Sequence, residues 1–108
     1  MKKIIVYQKP TCGTCKKEIH YLTEKKIPFE KLDIMKNTPS RDFLEKNIDE
    51  NNLDDFINKH SRPYRELNHS VKRLTKVELI ELMLMDPDLI KRPIMVDGKK
   101  IYFGYNEI

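Results

Sequence analysis

A chain of 108 residues is long enough to bury about two-thirds of its unfolded surface in one domain, so it needs neither a metal ion nor a disulfide to fold. Its 39% hydrophobic and 35% charged residues occur in short periodic runs, which excludes a disordered chain. The net charge of +4 comes from 21 basic residues interspersed with 17 acidic ones. With no basic helix interleaved with aromatic residues, direct binding of nucleic acid is not expected.

The N-terminal apolar run ends at Lys9-Pro10 and is too short for the core of a signal peptide. No stretch approaches the roughly 18 apolar residues that a membrane helix needs. We therefore expect a cytoplasmic protein that does not enter the membrane. Thiols stay reduced in the cytoplasm, so cysteines that lie close together there are more often catalytic or metal-binding than structural.

The first elements form a predicted β-α-β unit. Residues 3–7 are β-branched and aromatic and predict a buried strand. From Gly13 to about Lys25 the apolar spacing becomes helical, and Phe29–Ile34 predicts a second strand. One face of the helix carries the apolar positions i, i+4 and i+7: Cys15, Ile19 and Leu22.

The middle of the chain predicts helices. Pro39-Ser40 opens a short helix, Asn52 caps another, and residues 58–70 are polar and irregular, which is typical of a loop. Thr75-Lys-Val-Glu78 is a capping-box pattern, and Asp86-Pro87 closes the helix that follows. The apolar stripe predicted for that helix consists of Val77, Ile80, Met83 and Leu84, widened by Leu79 and Leu82.

The C-terminal part predicts a β-hairpin. Residues 92–96 lead to Asp97-Gly98, which indicates a type I′ turn, and residues 100–103 return as the partner strand. The element order is then β-α-β, helices, β-β. This order favours an α/β fold with a mixed sheet of the thioredoxin or glutaredoxin type.

Cys12 and Cys15 are placed where a strand gives way to a helix. The first turn of a helix offers unpaired backbone N–H groups and the positive end of the helix dipole, which favour a thiolate at Cys12. Lys9, Lys16 and Lys17 add positive charge nearby. Cys15 lies one turn further on and is suited to resolve a mixed disulfide formed at Cys12. The pattern therefore predicts Cys12 as the nucleophile and Cys15 as the resolving cysteine.

Two other interpretations of the cysteine pair stay open. The cysteines could be a coincidental half-buried pair, or they could bind zinc. A zinc site needs four ligands at suitable spacing, whereas the histidines are scattered. They lie at His20, His60 and His69. We therefore predict neither a metal site nor a cofactor.

Three ordered motifs resemble one family. They are Tyr7–Lys17, Tyr64–Leu67, and Arg92-Pro-Ile94 with Gly104-Tyr105. Together they resemble the arsenate reductase-related family that includes the Spx transcriptional regulators. The resemblance implies a single thioredoxin-like domain over residues 1–108 with an all-helical insertion at about residues 36–90. It also implies that the family's final helix, which would begin near Ile108, is missing or truncated.

The resemblance also implies roles for residues near the cysteines. Pro93 is expected to be a cis-proline that faces the active cysteine, and Arg92 is expected to contact a bound oxyanion. A guanidinium beside a helix N-terminus can bind a tetrahedral anion through paired hydrogen bonds. The expected substrate-binding residues are Thr11, Gly13, Thr14, Arg92 and Pro93.

Three functions remain open at this point. The first is a thiol–disulfide oxidoreductase acting on a disulfide or oxidised thiol. The second is an arsenate reductase that uses Cys12, with glutathione, glutaredoxin or thioredoxin as reductant. Glutathione-linked members use three arginines and one cysteine, whereas only Arg92 matches here and Cys15 is added. The third is a redox-switched regulator that binds RNA polymerase rather than DNA.

Overall fold

The computed structural model describes residues 3–67 and 73–108. It divides into two units, one formed by the residues up to Asn37 together with Arg92–Ile108, the other by Thr38–Lys91. The second unit has bounds close to those expected for the helical insertion. That the whole chain is a single domain stays a prediction.

The first unit is built on a four-stranded mixed sheet. Its strands are β1 (Ile4–Gln8), β2 (Phe29–Asp33), β3 (Ile94–Asp97) and β4 (Lys100–Phe103). The strand order is β2-β1-β3-β4, with β1 parallel to β2 and antiparallel to β3, and β3 antiparallel to β4. The predicted β-α-β unit, the hairpin and the mixed α/β fold are therefore confirmed.

Helix α1 (Gly13–Glu24) connects β1 to β2. It ends in a Schellman motif, because the N–H of Lys26 donates to the carbonyl of Thr23 and the N–H of Ile27 donates to that of Leu22. Lys26 takes the left-handed position of this motif with φ 57°. The chain is thereby turned back toward β2.

The core of this unit lies between α1 and the sheet. Its buried members are Ile4, Val6, Leu22 and Met95, with Ile19, Ile27 and Tyr102 packed around them. The apolar face predicted for α1 does pack against this core, although its members are buried to different degrees. Cys15, Glu18 and Leu22 are buried, whereas Ile19 is only half-buried. Counted from Cys15, the positions i, i+3 and i+7 point directly toward the core, and position i+4, Ile19, lies at the edge of this buried row.

The hairpin turn differs from the predicted type. Asp97 pairs with Lys100 in the ladder, so the turn residues are Gly98 and Lys99. Of these two only Gly98 has a positive φ, 61°, which is the type II′ pattern. The prediction of a type I′ turn at Asp97-Gly98 was wrong because Asp97 is still paired within the strand.

The second unit is helical over its described residues, apart from an isolated bridge between Ile57 and Ile90. Its helices are α2 (Arg41–Asn47), α3 (Arg62–Glu66) and α4 (Lys76–Met85), with short 3-10 helices at Leu53–Phe56 and Pro87–Leu89. Ser40 caps α2, as predicted. Thr75 and Glu78 form the predicted capping box of α4.

Two predictions for the part of this unit before α4 were wrong in part. Asn52 precedes a 3-10 helix without capping it through its side chain; its amide donates to Asp49 instead. The predicted loop at residues 58–70 contains α3, because Ser61 caps that helix and a proline fits its first turn. Residues 68–70, with His69, lie outside the described residues.

The apolar stripe of α4 is narrower than predicted. The buried side chains are Leu79, Ile80 and Met83, whereas Val77 is 62% exposed. Seven of the ten residues of this helix are apolar, so the sequence pattern does not single out the buried face. No helix within residues 3–67 and 73–108 is long and apolar enough to cross a membrane.

Candidate redox site

Cys12 is the N-cap of α1. Its backbone is extended, with φ −87° and ψ 119°, and its Sγ accepts the backbone N–H of Cys15 at 3.4 Å. Its own N–H donates to the carbonyl of Lys9 at 2.9 Å. The Cys12 thiol is half-buried. The sulfur therefore occupies the position at which a helix N-terminus accepts an anion.

Cys15 lies in the first turn of α1 and is fully buried. Both cysteines are free thiols in this structure. The partly exposed Cys12 can therefore meet a substrate in solution first, and Cys15 approaches the same sulfur from inside the protein.

The pKa of the Cys12 thiol lies below its ordinary value. Partial burial raises this pKa, but hydrogen bonds from the thiol and backbone of Cys15 lower it, and so do a hydrogen bond from Arg92 and its positive charge. Together, the contributions that lower the pKa of Cys12 exceed the effect of burial. A lowered pKa increases the thiolate fraction at neutral pH, and the thiolate is the nucleophile.

The pKa of Cys15 moves in the opposite direction, to about 12. Burial is the largest cause, and the hydrogen bond and negative charge of Cys12 raise the pKa further; a backbone hydrogen bond at Lys9 and the charge of Arg92 oppose the increase. Cys15 therefore stays a protonated thiol while Cys12 is a free thiolate. The two cysteines are chemically unequal.

Arg92 and Pro93 directly precede β3, and Arg92 lies beside the cysteine pair. The peptide bond between them is cis, as the family resemblance implied. The Arg92 side chain is half-buried and donates a hydrogen bond to Cys12. Its place beside the sulfur suits an anion bound at the same point.

The other predicted substrate-binding residues lie around the start of α1. Thr11, Gly13 and Thr14 are exposed next to Cys12 in the chain. A Cβ added to Gly13 would meet no atom within 4 Å, so this side of the site is open to solvent. Their role in substrate binding stays a prediction.

Of the three lysines close to the cysteines in the sequence, Lys17 does not point at the Cys12 sulfur. The Nζ of Lys17 lies 4.3 Å from the ring centroid of Tyr105, which is a cation–π contact directed toward the C-terminal segment.

As for zinc, no group of three His, Cys, Asp or Glu side chains in the described parts of the chain could hold a metal ion.

Glu18 is a feature that the sequence reasoning missed. Its side chain is fully buried one turn after Cys15. One carboxylate oxygen accepts the N–H of Asn106 at 2.7 Å, and the other is buried without a hydrogen-bond partner among the described residues. Its i+3 spacing from Cys15 was the signal that could have found it.

The chain was compared with known families, proteins and structures. A model described as the ArsC family matches residues 7–108. The regulatory protein MgsR of Bacillus subtilis is 31% identical over 107 residues, which cover 97% of this chain and 85% of the relative. The global transcriptional regulator Spx of Streptococcus pneumoniae is 33% identical over 106 residues, covering 96% and 80%.

The fold is shared with solved structures. The crystal structure of an ArsC family related protein from Bacteroides fragilis superposes with a TM-score of 0.85 at 28% identity, covering 97% of this chain and 93% of the other. The predicted thioredoxin-like fold is thus confirmed together with the resemblance. Because the family model spans almost its whole length, this chain belongs to the ArsC family.

Proposed function

We propose that this protein is a thiol–disulfide redox protein in which Cys12 is the nucleophile and Cys15 the resolving cysteine. The observation that carries the proposal is that the two thiols differ. The pKa of half-buried Cys12 is lowered, whereas the pKa of Cys15 is raised to about 12, mainly by burial. A thiolate at the surface beside a buried thiol is the arrangement that sequential disulfide exchange needs.

The reaction has two exchange steps. The Cys12 thiolate attacks one sulfur of a substrate disulfide, forms a mixed disulfide and releases the other sulfur as a thiolate, which takes a proton from water. Cys15 then gives up its proton to water and attacks the Sγ of Cys12. The second substrate sulfur leaves as a thiolate, which takes up a proton, and the Cys12–Cys15 disulfide remains. The substrate gains two electrons and the cysteine pair loses two.

An external dithiol or thiol must then reduce the Cys12–Cys15 disulfide. Glutathione, glutaredoxin and thioredoxin are the reductants proposed here, and a cytoplasmic location, which would supply them, stays a prediction. Arg92 assists the first step by holding Cys12 as a thiolate. Thr11, Gly13, Thr14 and the cis-peptide at Pro93 are proposed to contact the substrate backbone around the sulfur.

The test is trapping with Cys15→Ser. This variant keeps the attacking thiolate and lacks the resolving one, so substrates should accumulate as mixed disulfides on Cys12. They are detected by non-reducing electrophoresis and mass spectrometry. Cys12→Ser is the matched control and should trap nothing. If Cys15→Ser traps no more than Cys12→Ser, and oxidised wild-type protein shows no Cys12–Cys15 bridge, the proposal is wrong.

A second candidate function is redox-switched regulation. Two similar proteins bear the names of regulators, MgsR and Spx, and the family resemblance implies a partner such as RNA polymerase. In this function the same cysteine pair acts as the switch. Binding of purified polymerase to the reduced and to the oxidised protein tests it. Equal binding in both states, or none in either, would contradict it.

Arsenate reduction is the alternative with the least support. An arsenate dianion needs several cationic groups, and of the three arginines that the resemblance implies for glutathione-linked members only Arg92 matches in this sequence. Membership of the ArsC family and the hydrogen bond from Arg92 to the Cys12 sulfur are the observations in its favour. Arsenate-dependent turnover with glutathione and glutaredoxin, or with thioredoxin, would establish it, and none is expected.

A further inference from the structure

A groove of about 470 Å³ lies beside α1, between this helix and the strands β1 and β2. Its walls include Gln8 and Pro10 after β1, Lys16 and Ile19 on α1, and Lys31 on β2. Pro10 precedes Cys12 by two residues, and Lys16 follows Cys15 directly. The groove, here called the lysine groove, thus begins at the two segments that hold the cysteine pair.

The fold itself directs the groove residues to one side. Lys31 lies opposite Val6 in the parallel ladder between β1 and β2. Paired residues on neighbouring strands point to the same face, and Val6 is buried against α1. Lys31 therefore projects on the α1 side of the sheet. Lys16 and Ile19 are spaced i, i+3 and share one face of the helix.

The charges of the lysine groove are uncompensated. Lys16 and Lys31 are exposed and form no ion pair with another described residue. The groove has no acidic residue among its lining side chains, and its His20 faces Glu24 at 3.1 Å. Half-buried Ile19 supplies an apolar floor. Two free ammonium groups over an apolar floor fit an acidic peptide segment.

We propose that the lysine groove binds the acidic flank of the polypeptide whose disulfide is attacked by Cys12. This inference rests on the proposed thiol–disulfide function and names its substrate class. The contact brings the substrate sulfur to Cys12 by electrostatic attraction. Since exposed ion pairs are individually weak, the expected gain in rate is about 3- to 10-fold for the two lysines together.

The experiment uses two synthetic peptides with one cysteine each, carried as a mixed disulfide with 2-thiopyridine. One peptide has aspartates beside the cysteine and the other has asparagines. Attack by Cys12 forms a protein–peptide disulfide and releases thiopyridone, which is followed by absorbance. The full chain with Cys15→Ser isolates this single step. The acidic peptide should react about 3- to 10-fold faster at low salt, and the difference should shrink as salt is added.

Charge reversal then locates the contact. Lys31→Glu should remove the preference for the acidic peptide, measured as the ratio of the rates of the two peptides. Lys99→Glu, at the exposed hairpin turn, makes the same change in net charge and should keep the preference. Equal rates for both peptides, or equal effects of the two variants, would overturn the inference while the proposed function stands. Release from neither peptide would refute the proposed function as well.

Discussion

The buried Glu18 provides a pH-dependent test of how α1 holds the C-terminal segment Gly104–Ile108. Burial is the largest cause that raises the pKa of this carboxyl, and the negative charge of Glu107 raises it further, whereas the N–H of Asn106 lowers it; the net direction is upward. The folded protein therefore holds this proton more tightly than the unfolded chain does.

The sign of the effect on stability follows directly. The stability that comes from the raised pKa of Glu18 is fully present below the ordinary pKa of 4.5. It is lost as the pH rises through the raised pKa of the folded protein. One titrating group changes the free energy of unfolding by at most about 1.4 kcal/mol per pH unit. Glu18→Gln keeps an oxygen to accept the Asn106 N–H but cannot ionise. Its stability relative to wild type should therefore increase with pH, with a slope no steeper than that limit.

Urea unfolding at a series of pH values, from the ordinary carboxyl pKa upward, measures this difference, because the pKa of folded Glu18 is raised. Glu30→Gln, an exposed carboxyl on β2, is the control and should give a difference independent of pH. Parallel unfolding curves for Glu18→Gln and wild type would refute this reasoning.

Two further predictions concern the cysteine site and the end of α1. Arg92→Gln removes a charged hydrogen bond to Cys12, so the pKa of the Cys12 thiol should rise and its alkylation at neutral pH should slow about 10-fold. Arg92→Lys keeps the positive charge, so its alkylation rate should fall less. An equal fall in rate for both variants would contradict the electrostatic role of Arg92. Lys26→Gly relieves the left-handed φ of 57° and should stabilise by about 1 kcal/mol, seen as a higher melting temperature. Lys25→Gly, at φ −82°, should destabilise instead, and a lower melting temperature for Lys26→Gly would show that the backbone there is not strained.

Features that depend on neighbouring residues in the chain could be predicted. The position of Cys12 at a helix start follows from a strand, a break and a helical apolar spacing, all within about twenty residues. The capping box at Thr75 and Glu78 has an equally local cause. These predictions needed no knowledge of what packs against the elements.

Features that depend on packing could not be predicted. The buried position of Glu18 requires a partner 88 residues away, the N–H of Asn106, and a single sequence does not show that contact. The turn at Gly98 differs in type from the predicted one because strand pairing extends one residue further, to Asp97. For Arg92 and Pro93 the family resemblance supplied what spacing could not, since a cis bond and a contact across the fold leave no local pattern.

The contact between the two cysteines orders the proposed reaction. Burial is the main cause that raises the pKa of Cys15 to about 12, but the hydrogen bond and negative charge of Cys12 also raise it. Both of these contributions end when Cys12 becomes part of a mixed disulfide, because its sulfur is then neutral. The lowering effect of Arg92 on Cys15 remains. The resolving thiol therefore becomes easier to deprotonate only after Cys12 has captured a substrate, so the structure favours capture before resolution.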